Sequence, residues 1–295
     1  MESVDTDRGL LMNVAYRLLG SVSEAEDAVQ EAYARWYAMP AAGRDEITSP
    51  TGWLVTVTTR ICFDVLGSAR ARRERYVGEW LPEPVPDAAQ WTSQAASDRM
   101  IDPADRVSLD ESLSMALLVV LESMTPAERV AFILHDVFRY TFAEIGEIVG
   151  RSPQACRSLA SSARRRVRRA RVDHISAAEH ARVVSVFQAA LESGDITALV
   201  DILDPDATAV PDGGGLVRAT IDPIEGAESI AGYLLGLHQV QPGLTFQPTT
   251  VNGRAGLAIR DGLARTLAVV SVAIRGGLIE RIWVVRNPGK LTGWS

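Results

Sequence analysis

The chain has 295 residues, 37 acidic and 30 basic side chains, and a formal net charge of −7. Because one hydrophobic core seldom extends over so many residues, the length predicts two or three domains. The sequence has no apolar run of about 18 residues, and its acidic N-terminus lacks the plan of a signal peptide, so we expect a cytoplasmic protein without a membrane span. Cys62 and Cys156 are far apart, which argues against a disulfide scaffold or a zinc module.

Charge is distributed in blocks of alternating sign. Residues 149–175 hold eight arginines and one acid, whereas residues 1–59 hold four arginines and nine acids. Residues 60–80 are weakly basic, and residues 81–111 are again acidic. Blocks of this kind indicate different partners for different segments, and the strongly basic block suits phosphate. A solvated helix face remains an alternative explanation of the arginine run.

The first third of the chain predicts helices. An apolar repeat through Leu10, Val14 and Leu18 predicts a helix that ends at Gly20. Ser23 and Glu26 have the spacing of a capping box, which predicts the start of a second helix there. The segment 51–67 is apolar and rich in β-branched residues, and its neighbours favour helix over strand.

The middle of the chain predicts a linker and then a helix-turn-helix. Prolines and acids over residues 81–108 are typical of a linker. Thr125 and Thr141 each precede a glutamate by three residues, Gly150 suits a helix end, and a long basic helix is expected from residue 153 to about 171. Its inner stripe is expected to contain Cys156, Leu159, Ala163, Val167 and Ala170. A short capped helix, a tight turn and a basic helix form a pattern that favours DNA binding.

The last 120 residues change in character. A helix is expected over 176–193 and another over about 226–238. Short apolar segments between glycines and prolines predict strands at 207–211, 216–221, 244–251, 255–260, 265–274 and 278–285. This pattern favours an α+β domain.

These residues together resemble the extracytoplasmic-function sigma factors of bacterial RNA polymerase. Residues 8–80, with the acidic run Ser23 to Glu31, are similar to region 2 of that family, and residues 109–171 are similar to region 4. Arg151 to Arg166 is close to the subgroup that carries a C-terminal SnoaL-like extension of the nuclear-transport-factor-2 superfamily. Three further motifs of that subgroup are present: Trp80-Leu81-Pro82-Glu83-Pro84, Asp212-Gly213-Gly214-Gly215 and Asn287-Pro288-Gly289-Lys290-Leu291. The last departs from the family pattern, since aspartate is expected where Gly289 stands.

The resemblance implies two all-α sigma domains and a C-terminal α+β cone. The expected boundaries are 1–80 for region 2, 81–108 for the acidic linker, 109–173 for region 4 and 174–295 for the SnoaL-like domain. The implied partners are bacterial core RNA polymerase and promoter DNA, and the linker would pass through the channel where RNA later exits. The expected core-polymerase contacts are Glu24, Asp27, Gln30 and Glu31.

The resemblance also implies two DNA-reading segments. The residues expected at the −10 element are Trp53, Arg60, Arg70, Arg72, Arg73 and Arg75. For Trp53, a place in the hydrophobic core is an alternative that we favour. The residues expected at the −35 element are Gln154, Arg157, Ser158, Ser161, Arg164 and Arg165. Of these, Arg157 and Ser158 are the best candidates for base edges.

The C-terminal domain is expected to regulate the sigma factor in cis, so that no separate anti-sigma factor is required. The expected regulatory contacts are Trp80, Leu81, Pro82, Asp212, Gly213, Gly214, Gly215, Asn287 and Pro288. We expect no catalytic residues, no metal and no cofactor, because His180, His238 and the nearby aspartates show no catalytic spacing and the glycines lack a nucleotide-loop pattern. An unknown small ligand in the C-terminal pocket is compatible with this scheme. The alternatives are a helix-turn-helix regulator with a ligand-binding domain and a SnoaL-like isomerase or hydrolase.

Overall fold

The computed structural model describes residues 8–73, 76–86, 113–170, 175–217, 222–241 and 243–294, with side chains left undescribed at 69–73 and 238–239. These residues divide into two compact units. The helical unit takes in residues 8–73 and 117–170 together with Leu113. The mixed unit takes in residues 76–86, 114–116 and the described residues from 175 onward.

The helical unit begins with four helices. They are α1 (Arg8–Leu19), α2 (Val22–Ala38), α3 (Ala41–Asp45) and α4 (Pro50–Arg73). Gly20 ends α1 with a φ of 68°. Ser21, not the expected Ser23, caps α2, since its hydroxyl accepts the Glu24 amide at 3.4 Å. The prediction at Ser23 was wrong because α2 starts directly after the left-handed Gly20, and Ser23 already has helical backbone.

Three further helices, together with a fourth from its third residue onward, complete the helical unit. They are α5 (Met115–Glu122), α6 (Pro126–Phe132), α7 (Phe142–Val149) and α8 (Pro153–Arg169), with a π-helical turn at Ile133–Val137. The capping boxes at Thr125 and Thr141 are both confirmed. The turn between α7 and α8 is tight, because a Cβ on Gly146 would lie 2.5 Å from the Arg151 carbonyl oxygen. Glycine at this position therefore allows the two helices to pack closely.

The buried stripe of α8 is narrower than the sequence predicts. Cys156 and Ala163 are buried as expected, and Ala160 is buried with them. Leu159 and Val167 are only half-buried. Small side chains at the contact bring α8 close to α6 and α7, and the longer apolar side chains lie at the border of the interface.

The helical unit has two halves, α1 to α4 and α5 to α8, and two arginines connect them. Arg129 of α6 is buried, and its Nη1 donates to the Leu18 carbonyl at the end of α1 at 2.8 Å and to Glu122 at 2.9 Å. Burial lowers the pKa of Arg129 to about 9. From the other half, Arg60 of α4 donates to the Glu147 carbonyl at 2.8 Å, at the end of α7. Helix C-termini carry unpaired carbonyls and partial negative charge, so both guanidinium groups are well placed.

The mixed unit is a six-stranded sheet with helices packed on it. The helices are α9 (Ala177–Ser193), α10 (Ile196–Ile202) and α11 (Ala227–Val240). The strands are β1 (Leu203–Asp212), β2 (Ile224–Glu225), β3 (Thr245–Val251), β4 (Arg254–Arg260), β5 (Thr266–Arg275) and β6 (Leu278–Val285). Their order is β2-β1-β6-β5-β4-β3, and all pairs are antiparallel except β1 with β6. This is the α+β arrangement that the sequence predicts.

Local differences from the prediction have simple causes. Leu216 and Val217 lie in a turn closed by the Gly213 carbonyl, so the strand expected at 216–221 is wrong at its start. The rest of that segment lies outside the described residues. Helix α10 was not predicted, because seven residues are too few for a helical period to emerge. The Asp195 side chain caps it by accepting the Ala198 amide at 3.0 Å.

The core of the mixed unit lies between the sheet and its helices. Phe187, Ile230, Leu257 and Ile282 are almost fully buried there. Complete burial of a side chain of this size contributes about 1.5–3 kcal/mol each. The core thus fixes the ends of β1 and β6, which lie side by side in parallel register from Thr208 to Asp212.

We expect Arg129→Met to destabilise the helical unit by about 3 kcal/mol, because it leaves buried carbonyls and Glu122 without their donor. Denaturant unfolding followed by helical circular dichroism measures this loss. Arg168→Met, at an exposed position of α8, is the matched control and is expected to have little effect. Equal stabilities for the two variants would contradict the anchoring role of Arg129.

Candidate nucleic-acid interface and segment clasp

The acidic residues of α2 lie on its solvent-facing side. Asp27, Gln30 and Glu31 are exposed, and Glu24 is half-buried in the first turn. Glu31 pairs with Arg35 one turn later at 2.9 Å, an exposed contact that contributes well under 1 kcal/mol. The opposite side of α2 is buried through Val29, Ala32 and Trp36. The exposed side therefore forms an acidic surface on a rigid helix.

The predicted −10 residues of α4 separate into three groups. Trp53 is half-buried and its ring lies 5.3 Å from that of Trp36, which favours a packing role. Arg60 is exposed, yet its guanidinium lies on the carbonyls at the end of α7. The side chains of Arg70, Arg72 and Arg73 are outside the described part of the structure, as is Arg75 altogether.

The predicted −35 residues lie on the outer side of α8. Gln154, Arg157, Ser158 and Arg165 are exposed, whereas Ser161 and Arg164 are half-buried. Arg164 pairs with Asp136 at 2.6 Å, and the Arg157 guanidinium lies 5.4 Å from the centre of the Phe142 ring. Contacts of these two kinds hold long side chains in fixed positions, which lowers the entropy that these side chains would lose on binding DNA.

A second site lies within the mixed unit, where residues 76–86 pack against the ends of β1 and β6. We call residues 76–86 the docked segment. We call the polar cluster that holds its first half the clasp: Tyr76, Trp80, Leu81, Asp212, Asn287 and Lys290. All six residues belong to the mixed unit.

Asp212 is the centre of the clasp. Its carboxylate is buried and accepts hydrogen bonds from the Tyr76 hydroxyl at 2.6 Å and the Leu81 amide at 3.0 Å. It also pairs with the Lys290 ammonium at 2.6 Å and accepts the Gly214 amide at 3.1 Å. A buried carboxylate is tolerated only when it is paired and hydrogen-bonded in this way. Two of its four donors come from the docked segment.

Lys290 completes the clasp from the other side. Its ammonium lies 4.2 Å from the centre of the Trp80 ring and 4.9 Å from that of Tyr76. It also donates to the Leu81 carbonyl. A compact cation between two aromatic faces and a carboxylate is a favourable arrangement when water is excluded. Lys290 therefore joins the docked segment to Asp212.

The glycines after Asp212 make room for the clasp. Gly214 and Gly215 have φ values of 61° and 71°. A Cβ on Gly214 would overlap the Asn287 side chain, and one on Gly215 would lie 3.0 Å from the Val77 side chain. Asn287 itself donates to the Tyr76 oxygen at 2.7 Å. Glycine is thus required here by both backbone conformation and close approach.

A second contact holds the end of the docked segment. Val85 exchanges two hydrogen bonds with Asn252. The Val85 backbone amide donates to the Asn252 side-chain oxygen at 3.1 Å, and the Asn252 backbone amide donates to the Val85 carbonyl at 2.9 Å. The Trp294 indole donates to the Pro84 carbonyl at 2.9 Å. The segment is therefore fixed at both of its ends.

The predicted regulatory residues largely meet in one place. Trp80, Leu81, Asp212, Gly214 and Asn287 form or line the clasp. Pro82 is buried within the docked segment, Gly213 is buried at the turn after β1, and Pro288 is exposed beside Asn287. At Gly289, where the family pattern has aspartate, the backbone amide donates to the Asn287 side chain at 3.0 Å.

Sequence reasoning missed four contributors to the docking of this segment. Tyr76, Asn252 and Trp294 stood outside the recognised motifs, and Lys290 stood within one but was given no role. Lys290 had a detectable signal, since it is the only lysine in a chain with 30 basic residues. The other three could be found only from the fold that brings distant segments together.

No group of three or more His, Cys, Asp or Glu side chains within the described ranges could hold a metal ion. His180 is buried, and burial lowers its pKa while its Nε2 lies 3.3 Å from the Val272 carbonyl oxygen. The His238 side chain lies outside the described set.

No helix of the described chain is long and apolar enough to cross a membrane.

Comparison with known families and proteins covers nearly the whole chain. The Sigma-70 region 2 family matches residues 4–73, and the Sigma-70 region 4 family matches residues 114–167. The chain is 39% identical to ECF RNA polymerase sigma factor SigJ of Mycobacterium tuberculosis, over 96% of this chain and 90% of that protein. It is 35% identical to Probable ECF RNA polymerase sigma factor SigI of the same species, over 96% and 92%.

A solved structure agrees with these matches. The crystal structure of the extracytoplasmic function sigma factor SigJ of Mycobacterium tuberculosis superposes with a TM-score of 0.75 at 36% identity. The superposition covers 98% of this chain and 97% of the other. The similarity thus includes the mixed unit as well as the helical unit.

We expect Asp212→Asn to release the docked segment, because the amide pairs less well with Lys290 and disrupts the set of donors around a buried carboxylate. Hydrogen exchange at the Leu81 amide should accelerate about tenfold or more, which corresponds to about 1.4 kcal/mol or more. Asp206→Asn, an exposed aspartate of the same strand, is the control. Unchanged exchange at Leu81 would refute the central role of Asp212.

Docking should also weaken at high pH. Burial and the neighbouring Asp212 carboxylate raise the pKa of Tyr76 above its usual value of about 10. The docked state therefore favours the neutral phenol, so its stability is fully present below pH about 10 and is lost as the pH rises further. In an absorbance titration, Tyr76 should ionise late, and Tyr76→Phe should remove its share of the late component. A titration that Tyr76→Phe leaves unchanged in shape would contradict this assignment.

Proposed function

Because the chain belongs to the extracytoplasmic-function family of RNA polymerase sigma factors, we propose that it directs promoter-specific initiation of transcription and is regulated in cis by its mixed, SnoaL-like unit. The similarity to an extracytoplasmic-function sigma factor over 96% of the chain supports the role in transcription initiation. The clasp around Asp212 supports the regulation in cis.

The first proposed step is binding to core RNA polymerase through α2. Its exposed residues Asp27, Gln30 and Glu31 form an acidic surface that suits a basic partner surface. The buried side of the helix holds this surface on the helical unit, so that little ordering is needed on binding. Glu24 extends the surface toward the N-terminus of α2.

The second proposed step is promoter recognition by α4 and α8. Arg60 and the arginines that follow it on α4 hold the −10 region, and the exposed start of α8 reads the −35 region through Gln154, Arg157 and Ser158. The start of a recognition helix reaches base edges, while Arg165 and its neighbours lie further along and suit phosphates. In the structure Arg60 binds the carbonyls at the end of α7, so DNA must replace that contact.

The third proposed element is regulation by the docked segment. In sequence, residues 76–86 connect the helices of region 2 to those of region 4. In the fold, they are held on the mixed unit by the clasp and by Asn252. A connection that is fixed in one state and released in another biases how the two sigma regions engage polymerase and DNA. The mixed unit then takes the role of a separate anti-sigma factor, and we assign it no catalytic step.

Run-off transcription with the full chain, bacterial core polymerase and a promoter library tests the proposal at fixed salt. The wild-type chain should start transcripts from promoters that share one −35/−10 pair. Asp27→Lys with Glu31→Lys should reduce both core binding and transcription by at least about a hundredfold, because it reverses two charges at a complementary surface. Asp201→Lys, an exposed acid of α10, is the control and should leave both unchanged.

Two outcomes would contradict the proposal. Promoter binding without core binding would identify a helix-turn-helix regulator instead. Transcription that survives both charge reversals would remove α2 from the polymerase interface.

The same assay tests the regulation. Asp212→Asn should change promoter-dependent transcription about tenfold relative to Asp206→Asn, in line with the expected release of the docked segment. Equal activity and promoter choice for the two variants would refute regulation through the clasp, while leaving the sigma-factor function intact.

A further inference from the structure

Phe142, the first residue of α7, contacts two side chains from other parts of the helical unit. Its ring centre lies 4.0 Å from that of His135, and the two rings stack with 26° between their planes. The guanidinium carbon of Arg157, on α8, lies 5.4 Å from the centre of the Phe142 ring. Phe142 and His135 are half-buried, whereas Arg157 is exposed. A partly buried aromatic pair therefore supports a charged side chain on the solvent-facing side of α8.

The backbone before α7 brings His135 and Phe142 together. His135 lies in the π-helical turn Ile133–Val137. The chain then passes through Arg139, whose φ of 60° is in the left-handed region, and the capping box at Thr141 fixes the start of α7 at Phe142. Short π-helical turns and left-handed residues other than glycine are uncommon, and they occur often at functional sites.

The His135 ring is itself held by the backbone. Its Nδ1 lies 2.9 Å from the Tyr140 carbonyl oxygen, and Nδ1 must carry the hydrogen because a carbonyl oxygen only accepts. The Tyr140 amide in turn donates to the Leu134 carbonyl at 2.9 Å. The aromatic pair that Arg157 contacts is therefore fixed to a hydrogen-bonded loop.

A guanidinium held in one place is better suited to read a base than a free one. A free arginine on a helix surface has many rotamers and can reach phosphate as well as a base edge. A guanidinium that rests with its face on an aromatic ring keeps its N–H donors at the edge of its plane, where they match the two acceptors on the major-groove edge of guanine. Arg157 lies near the start of α8, which is the part of a recognition helix that reaches base edges.

We propose that Phe142, backed by His135, is a positioning residue that holds Arg157 toward one base of the −35 element and so contributes to promoter specificity. The inference rests on the base-reading role of Arg157 proposed above. Phe142 needs no contact with DNA, because it acts through the guanidinium. Loss of the contact therefore relaxes the preference at one base pair, whereas loss of a phosphate contact weakens binding to all sequences alike.

Run-off transcription with the full chain, core polymerase and a library randomised in the −35 element measures the preference at each position. Arg157→Ala should lower the preference at one position about tenfold. Phe142→Leu should lower the preference at the same position about fivefold, because leucine is apolar but has no π face. Phe142→Tyr keeps the π face and should stay within about twofold of the wild type. The preference is a ratio between promoters for one protein, so a change in the amount of folded protein cancels.

Phe138→Leu is the matched control. Phe138 is half-buried in the same loop, and its ring centre lies 5.6 Å from the guanidinium of Arg17 instead. The variant removes an equivalent contact between an arginine and an aromatic ring, and it should leave every −35 preference unchanged. In the double variant, Phe142→Leu should add nothing to the effect of Arg157→Ala, because Phe142 acts only through Arg157.

Nuclear magnetic resonance of the full chain without DNA measures the positioning directly. The order parameter of the Arg157 Nε–H group reports how tightly the side chain is held on the picosecond to nanosecond timescale. It should fall in Phe142→Leu and stay at the wild-type value in Phe138→Leu.

Three results of the transcription assay would each overturn the inference. They are a uniform loss over all promoters with Phe142→Leu, relaxation at a position other than that of Arg157→Ala, and additive losses in the double variant. An Arg157 order parameter that Phe142→Leu leaves unchanged would overturn it as well.

The inference and the proposed base-reading role fail in different ways. If Arg157→Ala relaxes one position and Phe142→Leu relaxes none, Arg157 reads the base and the positioning inference is wrong. If Arg157→Ala relaxes no position while Phe142→Leu lowers the Arg157 order parameter, the base-reading role is wrong, and the inference about promoter specificity falls with it.

Discussion

The buried carboxylate of Asp212 is the interaction on which the arrangement of the mixed unit depends. Removing a carboxylate from water costs several kcal/mol unless partners replace the lost hydration. Here the partners come from residues 76–81, from the turn that directly follows Asp212 and from Lys290 in the short helical turn after β6. The charge can be buried only when all three are in place. Docking of the segment therefore requires this particular arrangement of partners.

The helical unit is also connected by charged side chains with fixed hydrogen-bond partners, but here the charges are positive. Arg129 and Arg60 each place a guanidinium on carbonyls at the end of a helix from the other half of the unit. The two differ in their surroundings, since Arg129 is buried and Arg60 is exposed. A buried charge cannot leave its partners without a large penalty, whereas an exposed one exchanges them for water or phosphate easily. The first contact is thus structural, and the second is suited to be broken.

Much of the fold could be predicted from the sequence because local rules act strongly in it. The capping boxes at Thr125 and Thr141, the left-handed Gly150 and the apolar runs of β5 and β6 each specify an element without distant information. The cap at Ser21 was missed because two serines near the start of α2 compete, and only the position of Gly20 decides between them. Helix α10 is too short to show a period.

The sites were less predictable for a physical reason. The motifs around Trp80, Asp212 and Asn287 could be recognised, but their partners could not, because Tyr76, Asn252 and Trp294 act through contacts far apart in sequence. The role of Arg60 at the end of α7 was equally hidden, since its spacing on α4 indicates only a basic face. The roles of Arg60 and of the other predicted residues of α2, α4 and α8 toward DNA and polymerase stay predictions.

Docking of residues 76–86 also sets a length. With the segment docked, the chain from the mixed unit to α5 runs only through residues 87–112, whose contour is at most about 90 Å. With the segment released, residues 74–112 connect α4 directly to α5, and the contour grows to about 140 Å. The clasp therefore determines how many residues are available between α4 and α5.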